Sequence, residues 1–292
     1  MKAKKIEAFD LINNSLLLLV AVVCVYPFLY VLFIATSDGA ALARGQVSFL
    51  PKGFNLEAFG YILSTPRFNV LGGLKNSFIY TVLGTFVAVV VTYVTAYVLS
   101  RPRFKHRYWL MSLFVITWVF DAGIIPQYII YNVFGFVDNP AVMIIPGAIS
   151  TQFLIIAKTF LDGIPKELEE AAFVDGANDL TILTRIYVPL STTVLATIGT
   201  FYAVMIWNQY LMPQIYLKSE ELLTIQQVLK SVVITDASSG TTFKNVIING
   251  VMLNQQNLKA AAIFIAMLPI VLVYPFVQKY FKKGILLGSV KG

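Results

Sequence analysis

The run "SLLLLVAVVCVYPFLYVLFIA", residues 15–35, constrains this chain more than any other feature. It carries no charge over a length that matches the roughly 20 residues a helix needs to cross hydrocarbon. With its flank it predicts a helix near 12–35, and five further runs predict helices near 76–99, 109–131, 141–161, 188–212 and 260–281. The composition agrees: 58% of residues are hydrophobic and 13% charged, against about 45–50% and about 25% in soluble domains. A soluble core could not hide this much apolar surface. The reading is an all-α membrane protein with six transmembrane helices in one domain, 1–292. Neither an internal repeat nor a second domain is visible.

Lys2, Lys4 and Lys5 precede the first run, as they would in a signal peptide. The apolar stretch from Leu16 to Ala35 is longer than the roughly 7–15 residues of a signal core, so the helix is expected to be retained. The formal charge of +7 belongs to topology rather than to nucleic acid. Basic residues gather before helix 1, between helices 2 and 3 (Arg101, Arg103, Lys105, Arg107), between 4 and 5 (Lys166, Arg185) and after helix 6 (Lys279, Lys282, Lys283, Lys291). Six crossings put all four groups on one side, which the excess of Lys and Arg marks as cytoplasmic. Both termini then lie on the cytoplasmic side of the membrane.

Several chemistries are excluded. One cysteine, Cys24, and one histidine, His106, make no metal site and no nucleophile–base pair. His106 lies among four cations and reads as a solvated loop residue. No nucleotide-binding loop is present. Catalytic residues are expected to be none, and any energy source must lie on another chain or in an ion gradient.

Against this greasy background, "EEAAFVDGANDLTILTRIYVP" at 169–189 is anomalous: four carboxylates fall between Glu169 and Asp179. Gly163 and Pro165 should end helix 4, with Pro165 opening a new helix. Glu167, Glu169 and Glu170 follow in its first turns, where the helix dipole favours acids. Leu168, Ala171, Ala172 and Asp175 share a face at helical spacing. Gly176 suits a left-handed turn and Asn178 a second cap. Leu180, Leu183 and Ile186 give the second helix an apolar edge, and Pro189 begins helix 5. The coupling segment 165–187 is therefore a surface helix–turn–helix. Lipid-lying helices are usually rich in Lys and Arg, so an acidic one fits a protein partner better.

The residues Glu170, Ala171, Ala172, then Gly176, then Ile186 and Pro189 match, position by position, the EAA signature of binding-protein-dependent ABC importer permeases. "NSFIYTVLGT" (76–85), "IPKELEEAA" (164–172), "WNQYLMP" (207–213) and "FKKGILLGSVKG" (281–292) resemble its carbohydrate-uptake branch, similar to maltose-type and lipopolysaccharide-oligosaccharide-type subunits. The resemblance implies a type I importer permease fold with a cytoplasmic EAA coupling helix. It implies ATPase-coupling roles for Glu170, Ala171, Ala172, Asp175, Gly176, Ile186 and Pro189. It also implies a heterodimer with a second permease, a cytoplasmic ATPase dimer carrying ATP and Mg, and an extracytoplasmic solute-binding protein. This chain itself would need no cofactor and perform no chemistry.

Substrate-pathway candidates come from polar residues at membrane depth. Asp121, about 14 residues into helix 3, lies roughly 20 Å deep and should be shielded from lipid; it is a pathway residue or a buried tie. Pro126 should kink helix 3. Tyr128, Asn208 and Gln209 lie near outer helix ends. Trp207 and Tyr210 read as interfacial anchors, and Pro269 and Pro275 interrupt helix 6. The outer stretch "EELLTIQQVLKSVVI" reads as an amphipathic helix packed as a lid, and "SSGTTFKNVIING" as an exposed loop. The competing reading is a self-sufficient secondary transporter or channel for a small polar solute. That class should show paired half-repeats or several intramembrane ionisable residues, and the sequence shows neither.

Overall fold

The computed structural model describes residues 8–238 and 246–288. Helix α1 spans Ala8–Ala35, followed by short helices α2 (Gly39–Ala43) and α3 (Glu57–Ser64). Helix α4 runs Val70–Ser100. The third apolar run is not one helix: α5 (Arg107–Val119) and α6 (Ile124–Val133) meet at 117°. The fourth run holds a 3-10 turn at Pro140–Met143 and then α7 at Thr151–Asp162. The acidic stretch forms α8 (Glu167–Val174) and α9 (Asp179–Ile182), a π-turn at Leu183–Tyr187 and α10 (Val188–Leu190). Helix α11 (Thr192–Asn208) follows across an 81° bend, then α12 (Leu211–Tyr216) and α13 (Ile225–Ser238). A hairpin of β1 (Val246–Ile248) and β2 (Val251–Leu253) leads into α14, Gln255–Gly288.

Among the described residues three helical stretches are long and apolar enough to cross a membrane: Phe9–Ala35, Val70–Ser100 and Gln255–Pro275. The two bent pairs raise this to five if each counts as one span. The expected helix over 141–161 is therefore corrected to a turn and a 12-residue helix. Pro140 just precedes it, and Pro146 and Gly147 occupy its first half and break the ladder. Helix 5 begins at Thr192 rather than Pro189, which lies in the three-residue α10. Helix 6 continues through Pro269 and Pro275 instead of being interrupted. The apolar window of α1 buries none of its residues against this chain; a surface so apolar needs lipid or another subunit around it.

The chain groups into two compact units, one within Met1–Val70 and Val228–Leu268, the other within Leu71–Gln227 and Pro269–Gly292. In the first, two asparagines join the end of α1 to the start of α14. Buried Asn257 donates to Ile34 O (2.8 Å) and Ser37 O (2.7 Å). Asn254 caps α14 by accepting from Asn257 N at 3.1 Å and donates to Gly39 O at 3.1 Å. Gly39 is obligatory for this approach: a Cβ there would lie 2.6 Å from Met252 O. The hairpin corrects the exposed-loop reading for part of "SSGTTFKNVIING", of which 239–245 lie outside the described residues. Asn249 and Gly250, at φ 51° and 80°, form its two-residue turn, the geometry that positive φ at both positions demands.

The second unit centres on Tyr93, Tyr97, Leu154, Leu161, Ile182, Tyr187, Ile198 and Tyr202, all buried. Tyr202 Oη lies 2.6 Å from Thr92 Oγ1 and accepts from Ser150 N at 2.8 Å, so its burial leaves no orphan. The helix expected in "EELLTIQQVLKSVVI" starts at Ile225. Thr224 N donates to Gln227 Oε1 (3.0 Å) and Gln227 N to Thr224 Oγ1 (3.4 Å), a reciprocal cap. Ile225, Val228 and Val232 on it are buried. On the loops, Asp138 accepts from Ser219 Oγ (2.5 Å), Ser219 N (2.8 Å) and Lys218 N (2.9 Å). These bonds, the Ser219 hydroxyl first, hold its carboxyl below the usual range.

Candidate functional site

The acidic segment is built as its sequence requires, with one shift at its start. Pro165 lies outside α8, whose N-cap is Lys166. The helix ends in a Schellman motif: Ala177 N donates to Ala172 O (2.9 Å) and Gly176 N to Phe173 O (3.0 Å). Gly176 has φ +79° and open space around a would-be Cβ. Backbone conformation, not crowding, is therefore what selects glycine. Asn178 then caps α9, its Oδ1 accepting from Thr181 N at 2.8 Å and Thr181 Oγ1 at 2.9 Å.

Helix α8 turns a narrow face to its own fold. Glu169 is buried, and Ala172 packs on the core cluster that contains Tyr97, Leu161 and Tyr187. Ala177 and Ile186 pack on the same cluster. The rest looks outward. Glu167, Glu170, Ala171, Asp175 and Gly176 are exposed, Val174 is 88% exposed and Leu180 of α9 is 68% exposed. Of the residues matching the signature, Ala172 and Ile186 thus hold the segment in place while Glu170, Ala171 and Gly176, with Asp175 between them, present a surface. Pro189 is exposed on α10.

A buried ionic clamp ties this segment to the end of α4, and the sequence reading did not single it out. Arg101 Nη1 donates to Glu169 Oε2 and to Tyr187 Oη. Tyr187 Oη donates to the same carboxylate at 3.2 Å. Arg101 also donates through Nη2 to Ser100 Oγ at 2.8 Å. Its guanidinium lies 4.4 Å from the Tyr187 ring centroid and 4.8 Å from that of Tyr97. Arg103 pairs with Asp179 and stands 3.7 Å from Glu169, its guanidinium 4.7 Å from the Phe173 ring. A carboxylate so buried survives only with charge-matched partners. The clamp makes α8, α9 and the cytoplasm-assigned end of α4 one mechanical piece. Arg101 and Arg103 were read only as topology charges; His106 is exposed, as expected.

The pathway candidates fare differently. Asp121 is exposed in the break between α5 and α6, not buried in a continuous helix. Its Oδ1 accepts from Gly123 N at 2.6 Å and its Oδ2 from Gln127 Nε2 at 3.2 Å. Gly123 at φ +81° turns the chain. Pro126 does not make the kink; it sits in the first turn of α6, where a missing N–H costs nothing. Tyr128 is half-buried and stacks on Tyr216 at 5.7 Å. Asn208 is exposed and donates to Val204 O in its own helix (2.9 Å), and half-buried Gln209 follows α11. Trp207 is buried at 6% exposure, which corrects its reading as an interfacial anchor. Half-buried Tyr210 bonds Gln214 at 3.2 Å. No cluster of His, Cys, Asp and Glu among the described residues could hold a metal.

Three comparisons bear on this arrangement. The family described as "Binding-protein-dependent transport system inner membrane component" matches residues 57–286. The chain is 38% identical to Protein LplC of Bacillus subtilis (strain 168) over 98% of this chain and 96% of that one. It is 38% identical to the polygalacturonan/rhamnogalacturonan transport system permease protein YtcP of the same organism, over 99% and 100%. Among solved structures, a subunit of a bacterial ABC transporter involved in the import of the acidic polysaccharide alginate superimposes with TM-score 0.83. That pair is 31% identical, with 96% of this chain and 99% of that chain covered.

Proposed function

This chain belongs to the family of binding-protein-dependent transport system inner membrane components, and from that premise we propose that it is one of two permeases in an ATP-driven glycan importer. Its α8–α9 segment docks on a cytoplasmic ATPase dimer, which carries the ATP and Mg. A solute-binding protein delivers an oligosaccharide or related glycan from outside to a pathway shared with the second permease. The single observation that carries the docking reading is the division of α8. One face is clamped through Glu169 to Arg101, while the side chains of Glu170, Ala171, Val174 and Asp175 stand outward, exposed among the described residues. An exposed apolar residue ringed by acids suits a partner groove with a greasy floor and basic rim.

The membrane arrangement follows from the same reading. Six crossings with both termini cytoplasmic require the stretch over 141–161 to complete one of them with a turn and the short α7. Irregular backbone at membrane depth is tolerated where it is buried in protein or lines a cavity. The apolar window of helix α1, unburied by its own chain, is then available to lipid or to the second permease. The names of similar proteins support polysaccharide-derived cargo, one of it acidic. Calorimetry on the binding protein made with this chain would identify the cargo.

The test of docking is co-purification. Val174→Arg and Glu170→Lys alter exposed positions, so the chain's own stability should move by no more than about 0.5 kcal/mol. ATPase recovery with the permease pair, and solute-stimulated hydrolysis, should fall severalfold. Full recovery and normal stimulation in both variants would remove the docking role and leave α8 a surface loop. Uptake driven by an ion gradient through this chain alone would restore the secondary-transporter reading.

A further inference from the structure

Beside the clamp, and not used by it, lies a cleft of about 300 Å³ lined by Ser100, Arg101, Pro102, Arg107, Tyr108, Lys158, Leu161, Asp162, Ile164 and Lys166. Four cations and one carboxylate share its wall. Lys158 bonds Asp162 at 2.6 Å and Arg101 is engaged by Glu169, so these four charges largely cancel. Arg107 and Lys166 remain. Arg107 donates only to the neutral Tyr108 hydroxyl (2.9 Å) among the bonds of the described residues, and its guanidinium rests 4.6 Å from that ring. Two uncompensated cations in a concave site, with two more behind them, attract an anion and hold it away from bulk water. The rim is amphipathic: Tyr108 and Trp109 are 70% and 63% exposed at the start of α5, and exposed Leu113 and Ile116 continue the Trp109 face at helical spacing. Exposed Trp and Tyr at the end of a membrane helix mark headgroup depth.

We propose that this cleft seats the phosphate of an anionic phospholipid, with Arg107 and Lys166 on the phosphate oxygens and the acyl chains along α5. Basic pockets between membrane helices are built for such headgroups. Arg and Lys supply charge-assisted donors to phosphate oxygens, Arg in a planar fork. The proposal needs the membrane location of the family but not the glycan or the docking reading, so either can fail without the other. A free phosphate ester shares the same chemistry, and the test separates the two sources.

The assembled transporter, purified after reconstitution with phosphatidylglycerol and phosphatidylcholine in equal amounts, should retain phosphatidylglycerol in native mass spectra. Each basic side chain near the surface is worth about fivefold in affinity. Arg107→Gln with Lys166→Gln should therefore lower that retention on the order of twentyfold. The charge-matched control, Lys75→Gln with Lys105→Gln, lies outside the cleft and should retain it as wild type does. Equal retention of both lipids by wild type, or equal loss in both double variants, overturns the site. Displacement of phosphatidylglycerol by millimolar inorganic phosphate overturns the lipid as occupant while keeping the phosphate chemistry. Loss of ATPase co-purification with unchanged lipid retention gives the cleft to a protein contact instead. A thermal midpoint matched to wild type certifies that the variants fold.

Discussion

Glu169, in the first turn of α8, and Asp121, in the break between α5 and α6, are both carboxylates near a helix start, and the fold treats them oppositely. Glu169, in a segment that looks like surface decoration, is buried against Arg101 and Tyr187. Asp121, in a run that looks like membrane interior, is exposed and closes a local turn onto Gly123 just before the next helix. The difference lies in the distance to a partner. Asp121 satisfies itself within six residues, through Gly123 N and Gln127. Glu169 depends on an arginine 68 positions earlier. Local satisfaction lets a carboxylate sit at an exposed break, whereas long-range satisfaction makes it a fastener between elements.

Removing the fastener should produce the largest effect. Glu169→Ala leaves Arg101 buried without its counter-charge, which costs about 3–5 kcal/mol. The assembled complex should lose yield and melt markedly earlier. Replacing both Arg101 and Glu169 by Met removes the stranded charge, and stability should recover most of the way, since buried pairs often exchange for apolar residues at little cost. A single variant as mild as Asp121→Ala would erase the contrast between the two carboxylates. A double variant no better than the single would show that Tyr187 and Ser100, not the ion pair, carry the joint.

A smaller effect tests the turn that aims the docking face. At φ +79° a β-branched side chain is strained although nothing crowds it, by roughly 1–2 kcal/mol. Gly176→Val should fold and insert but lose most solute-stimulated ATP hydrolysis, because α8 is re-aimed. Gly176→Asn, which tolerates left-handed backbone, should keep most of it. Equal activity in both would mean that the turn's geometry is irrelevant to coupling.

These contrasts also explain what the sequence could and could not disclose. The Schellman turn, the Asn178 cap and the long helices α1, α4 and α14 were legible because each rests on local spacing. The break before α6 was legible too, from Asp121, Gly123 and Pro126 in turn-and-cap order, but counting depth along an assumed straight helix hid it. Asn249-Gly250 between two β-branched runs carried a hairpin signal of the same kind. The clamp was not legible. Glu169 faces inward with Ala172, yet nothing in spacing pairs it with Arg101. Lys2, Lys4, Lys5 and the tail from Ser289 lie outside the described residues, so the terminal charges that oriented the chain rest on the sequence alone.

The smallest effect is expected at Asp121 and concerns selectivity. In Asp121→Asn the amide oxygen keeps the bond from Gly123 N, and the bond to Gln127 survives with its direction reversed once the Gln127 amide flips, so stability should shift by no more than about 0.5 kcal/mol. What changes is charge at an exposed hinge. If the hinge borders the solute pathway, a carboxylate there repels an anionic glycan by about 1 kcal/mol at close approach in water-like surroundings, or roughly fivefold in rate. Neutralising it should raise uptake of an anionic oligosaccharide relative to a neutral one of the same length by two- to fivefold. Complex yield and melting temperature should stay unchanged in the same reconstituted preparation. An unchanged uptake ratio removes Asp121 from the pathway and leaves it a turn residue. A drop in melting temperature without a change in ratio assigns it the fastening role that the fold otherwise gives to Glu169.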